Sequence, residues 1–158
     1  MKGGSKMRKG FTLVELLIVI MVIAILIGIA LPRFGGMRDE GNTTKAAAEG
    51  RTLQAAIESR YIHTTPHAYP AAGATWETPL TTATPQILGS ELYDPFGATA
   101  TTQYSYALSA SGKFYVIWSI GPDRASTVTG ISDAGVVAPA ATGDDIFVSN
   151  GTPGSGGF

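Results

Sequence analysis

A single carboxylate, Glu15, lies inside an otherwise uncharged run from residue 11 to residue 31, five positions after Gly10. An unpaired carboxylate in hydrocarbon costs on the order of 2.5–3.5 kcal/mol at a helix centre, and less near a helix end. Directly upstream stand Lys9, Gly10 and Phe11. Were the backbone cut between Gly10 and Phe11, a new α-amino group would arise at Phe11, about one helical turn from Glu15. Two such helices, staggered side by side, could pair the amine of one with the carboxylate of the other, and only in one register. Glu15 would then fix how subunits align, a use for which buried polar groups have support.

The element that must position this pair is the apolar run itself. As a helix its 21 residues would be about 31 Å long, which matches the roughly 30 Å hydrocarbon core of a bilayer. Lys2, Lys6, Arg8 and Lys9 precede it with no acidic residue, so the short N-terminus is expected on the cytoplasmic side. In a bland alternative Glu15 only reaches the headgroup layer. A secretory signal peptide fits less well, because its apolar region spans about 7–15 residues and ends in small residues. Here the run is longer, contains Glu15, and ends Gly28-Ile29-Ala30-Leu31-Pro32.

Lys9-Gly10-Phe11-Thr12-Leu13-Val14-Glu15 resembles the prepilin motif of type IV pilins and type II secretion pseudopilins. The resemblance implies a cleaved leader (1–10), a membrane aspartyl peptidase cutting after Gly10, N-methylation of Phe11, and Glu15 in assembly. It further implies a transmembrane and filament-core helix (11–32), an amphipathic continuation (33–62) and a globular head (63–158), the pilin fold. Pro32 falls where that family commonly has a helix-kinking proline.

Composition limits what else the chain can do. Of 11 Lys+Arg, 4 lie in the leader, so cleavage leaves 7 against 12 Asp+Glu. A net-acidic mature chain lacks the concentrated basic face that phosphate binding requires, so no nucleic-acid partner is expected. There is no cysteine, so an exported head must rest on packing, hydrogen bonds or a metal.

Pro32-Arg33-Phe34-Gly35-Gly36 is expected to interrupt the helix, either as a stop at the membrane exit or as a stretch that bends on assembly. Thr43 or Thr44 is the expected N-cap where it resumes. Ala46, Gly50, Leu53, Ile57 and Tyr61 then form one face, with Arg51, Glu58 and Ser59 opposite. Residues 63–100 read as a long loop with short helical turns near 85–92, solvated His63 and His67, and Trp76 packed beneath it. Tyr104, Tyr106 and Leu108 alternate as a half-buried strand, followed by a turn at 109–112, a central strand over 113–119, and a third over 146–148 stopped by Asn150-Gly151. Residues 154–158 read as a flexible tail. The expected class is α+β: a long N-terminal helix, half transmembrane and half amphipathic, packed on a small antiparallel sheet.

Asp94-Pro95-Phe96-Gly97, Trp118-Ser119-Ile120-Gly121-Pro122-Asp123 and Gly143-Asp144-Asp145-Ile146 resemble blocks of the major-pseudopilin family of type II secretion. That resemblance implies calcium held by Asp123, Asp144 and Asp145 with backbone carbonyls, in keeping with the ion's preference for six to eight oxygen ligands. The sequence departs from the pattern in a longer Thr/Val/Gly/Ala-rich insert over 125–142, with Asp133 as an extra carboxylate, and in Pro122.

Enzyme chemistry finds no footing. There is no nucleophile elbow, phosphate-cradling glycine loop or cysteine nucleophile, and Glu77, Glu91 and Asp94 read as exposed loop carboxylates. The expected function is structural: a filament subunit, first a type II secretion pseudopilin, alternatively a type IV pilin of a surface pilus. The implied partners are further copies of the chain, prepilin peptidase, an inner-membrane platform with its ATPase, and minor pseudopilins or pilins. The implied location is the bacterial inner membrane, single-pass, with the head in the periplasm and the filament there or at the cell surface.

Overall fold

The computed structural model describes residues 10–139 and 143–152, and for 31–35 the backbone only. Residues 1–9 of the leader and the tail at 154–158 lie outside the described residues. The chain divides into two compact units, residues 1–38 and residues 39–158. One helix, α1 (Leu13–His63), contributes residues to both.

In the first unit α1 is apolar on every side. The 18 residues Leu13–Ala30 have a mean hydropathy of 3.1 and none is buried. The expected interruption after Pro32 is absent, because the backbone of 32–36 is helical. A proline removes one ladder bond and crowds one carbonyl, and here neither ends the helix. Thr43 and Thr44 accordingly cap nothing. Their hydroxyls donate one turn back, to Asp39 O at 2.8 Å and Glu40 O at 3.1 Å, as threonines do inside helices.

In the second unit the small-residue stripe meets the sheet as its spacing requires. Ala46, Leu53, Ala56 and Ile57 are buried. A Cβ built on Gly50 would lie 3.6 Å from a Val148 methyl, an ordinary contact. Gly50→Ala is therefore expected to stabilise this unit by about 0.5–1 kcal/mol, the helix-propensity difference, readable as a higher melting temperature. Glu58 departs from its expected solvent face: it is half-buried and accepts the Tyr115 hydroxyl at 2.8 Å.

The sheet has three antiparallel strands in the order β1 (Ser105–Leu108), β2 (Tyr115–Ser119) and β5 (Ile146–Ser149). Ser105 pairs with Trp118, and Ser119 pairs with Ile146. All five residues of β2 are buried. Tyr115 and Ile117 pack in the cluster with α1, whereas Val116 and Trp118 pack with Val128, Val137 and Phe147. The residues of that second cluster come partly from a hairpin the sequence reading did not separate from its insert: β3 (Gly130–Ile131) paired with β4 (Val137–Ala138). Cover on both faces explains why β2 is a continuous apolar run rather than an alternating one.

The long connection after α1 carries one short helix, α2 (Thr78–Thr81). Expected turns at 85–92 are irregular instead. Pro79 sits at the start of α2, where its fixed φ suits a first turn. Trp76 is buried as expected and donates its indole N–H to Tyr104 O at 2.9 Å.

Candidate functional site

The first site is the head of the apolar helix. Thr12 precedes α1, and Glu15 stands three residues further on. The Thr12 N–H and hydroxyl both donate to Glu15 Oε2 at 2.9 Å, and the Glu15 N–H donates to Thr12 Oγ1 at 3.2 Å. This is a capping box, in which the two residues satisfy each other's free donors. The carboxylate that the sequence reading left waiting for a cation already has two donors, both on one oxygen. The Thr12-x-x-Glu15 spacing is the sequence signal for this cap. Around this cap the helix offers only apolar surface: large side chains from Phe11 to Ile29 are between 48% and 88% exposed. So broad an apolar surface requires lipid or other protein as cover. Among the described residues nothing stands where a Gly10 Cβ would be, so their packing places no demand on it.

The second site lies in residues 39–158, where the acidic blocks meet. Asp94 is buried rather than exposed. Its Oδ1 accepts from Phe96 N–H at 2.9 Å and Ser119 hydroxyl at 2.6 Å, and its Oδ2 from Ile120 N–H at 3.1 Å. It thus ties the Asp-Pro-Phe-Gly turn to the end of β2. Asp144 Oδ2 accepts the Asp123 N–H at 2.8 Å, and Asp123 Oδ1 accepts the Ala125 N–H at 2.8 Å. Asp145 Oδ2 accepts from Thr127 N–H at 2.8 Å and Val128 N–H at 2.6 Å, while its Oδ1 is buried without a partner. Burial pushes the Asp145 carboxyl above the usual range, and its two N–H donors pull against that. Gly121 has φ +71°, and an added Cβ would collide with the Asp144 carbonyl, so the close approach of the two loops needs glycine there.

These contacts bear on the calcium expectation for Asp123, Asp144 and Asp145. The structure brings the three carboxylates into one region, with one oxygen of each accepting main-chain N–H groups and the buried Asp145 Oδ1 left without a partner. Among the described residues no three Asp, Glu or His side chains are placed to hold a cation. A resident calcium ion would stabilise by mass action, so if these carboxylates hold one the melting temperature should rise with added calcium and fall in excess EDTA, and an unchanged value would count against it.

Glu77 is the other departure. Instead of standing on an exposed loop, it is fully buried beside Trp76. Its Oε2 accepts the Leu92 N–H at 2.9 Å and its Oε1 accepts nothing. Burial pushes its carboxyl up to about 7, with Glu91 and Glu49 adding to the rise and the Leu92 N–H opposing it. His63 and His67 are exposed, as expected, each with Nδ1 against a main-chain carbonyl.

Residues 5–31 match the prokaryotic N-terminal methylation motif. The chain is similar to the type IV narrow pilus major component PilA5 of Thermus thermophilus, 38% identical over 79 residues, covering 43% of this chain and 68% of that protein. It is similar over 57 residues to a fimbrial protein of Pseudomonas aeruginosa, 43% identical, covering 36% of this chain and 37% of the relative. It is also similar to the type IV major fimbrial protein FimA of Dichelobacter nodosus, 26% identical over 149 residues, covering 87% of this chain and 88% of that protein. No solved structure matches the chain.

Proposed function

The chain belongs to the type IV pilin family, and from that premise we propose that it is the repeating subunit of a surface pilus. The observation that carries this reading is the uncovered apolar helix Leu13–Ala30, headed by a capped carboxylate at Glu15. Before assembly the helix spans the inner membrane, where acyl chains cover it. Prepilin peptidase cuts between Gly10 and Phe11, and the new Phe11 amine is N-methylated. An ATP-driven platform withdraws the subunit, and neighbouring helices take the place of lipid. Apolar area is exchanged between two dry environments rather than exposed to water. Packing among helices then sets the association, and pairing of the Phe11 amine of one copy with Glu15 of the next sets the register.

The sequence alone put a type II secretion pseudopilin first. Relatives named as pilus and fimbrial proteins support the surface fibre instead. The Asp94-Pro95-Phe96-Gly97 turn, anchored to β2 through Asp94, supports the pseudopilin as the second reading. Shearing intact cells and sequencing the released fibres separates the two. The pilus reading expects this chain in the fibres, beginning at Phe11. Intact surface fibres without it, together with a secretion defect on gene deletion, would instead make it a pseudopilin.

A further inference from the structure

At the β1 edge of the sheet a cleft of about 570 Å3 is bounded by Trp76, Glu91, Tyr93, Gln103, Tyr106 and Trp118, among others. It is an open groove rather than an enclosed pocket. Trp76 and Tyr106 stack with ring centroids 4.7 Å apart, and Tyr93 is 36% exposed. Glu91 is the charged side chain among the described residues that line the cleft, and Lys45 and Glu49 border the neighbouring groove that shares Glu91 and Tyr93. Glu91 is half-exposed and accepts a long hydrogen bond from the Tyr93 hydroxyl, 3.4 Å to Oε2. Gln103 keeps a buried Oε1 that accepts no hydrogen bond. Glu77, next to Trp76, is close enough to Glu91 for the two carboxyls to repel. Among the described residues that line the cleft there is no Lys or Arg.

Aromatic rings present a negative face, and a carboxylate beside them adds charge of the same sign. An anion would be repelled there. A neutral ligand could gain a hydrogen bond from Glu91 but not the attraction between opposite charges. We propose that this cleft binds a small organic cation, an alkylammonium head group that sits against Tyr93 and is neutralised by Glu91. The proposal does not depend on filament formation.

The test uses the full chain in a non-ionic detergent at constant ionic strength. Choline and N-acetyl-lysinamide are titrated separately, with 3,3-dimethylbutan-1-ol as the uncharged isostere of choline, and binding is read by saturation-transfer NMR and tryptophan fluorescence. Saturable binding is expected for at least one cation, at least about tenfold weaker for the neutral isostere. Preference for choline would point to free quaternary amines, and preference for N-acetyl-lysinamide to lysine side chains. Glu91→Gln and Tyr93→Ala should each weaken binding about tenfold with the melting temperature unchanged, since neither side chain is buried. No saturation by either cation, equal binding of the isostere, or indifference to both substitutions would overturn the proposal.

Discussion

Glu15→Ala is expected to leave the chain in the membrane and to cut filament yield at least about tenfold, because a desolvated charge left without its partner costs on the order of 2–5 kcal/mol at each contact. In a filament that cost recurs at every subunit. The capping box complicates the interpretation of alanine alone, since it removes the Thr12 contacts as well as the charge. Glu15→Gln separates the two effects. Glutamine serves a capping box as glutamate does, so this variant keeps the helix start and loses only the charge. If charge pairing sets the register, Gln should assemble as poorly as Ala. If the cap is what matters, Gln should assemble normally. Filament counts by negative-stain microscopy, with membrane content from blots, read both outcomes.

Glu77→Gln is expected to abolish a pH-dependent loss of stability in residues 39–158 worth roughly 1–3 kcal/mol between pH 4.5 and 8, which corresponds to several degrees in melting temperature. The sign follows from the raised folded-state pKa of about 7 against 4.5 in the unfolded chain. Below pH 4.5 the carboxyl is protonated in both states and carries no penalty. Between 4.5 and 7 the folded state holds its proton more tightly, so stability falls as pH rises. Above 7 the penalty is complete and constant. Gln keeps an acceptor for the Leu92 N–H and cannot ionise, so this part of the pH slope should vanish. The charges facing the site are Glu91 and Glu49, and Lys45 lies 3.7 Å from Glu49. A variant that keeps the wild-type slope between pH 5 and 8 would show that Glu77 does not titrate in that window.

The elements that followed from side-chain periodicity were legible in the sequence. The apolar helix, the 46–57 stripe and the three strands each rest on a pattern that fits one element and one burial mode. Features that depend on long-range partners were not. Asp94 reads as a loop carboxylate until Ser119 and Ile120, some 25 residues on, arrive as its donors. Glu77 reads likewise until the 88–94 segment closes over it. The β3–β4 hairpin is two residues per strand, too short to generate an alternation. Pro32 misled in the other direction, because a local helix-breaking tendency was outweighed by the helix on both sides. At the N-terminal site Glu15 stands out in the sequence by the cost a carboxylate would carry in lipid, whereas Thr12 does not, because its contribution is a hydrogen bond one turn away rather than a charge.

The proposed filament register depends on an ion pair between subunits, and one distance tests that pair. Filaments assembled from a mixture of two pools, one with 15N in phenylalanine and the other with 13C at the glutamate carboxyl carbon, can be examined by solid-state NMR. Dephasing between the Phe11 amine nitrogen and the Glu15 carboxyl carbon is expected at under about 5 Å, and only the mixed filament can place it between different copies. A Phe11 amine with no 13C neighbour at that distance, in filaments that are otherwise well ordered, would contradict the pairing.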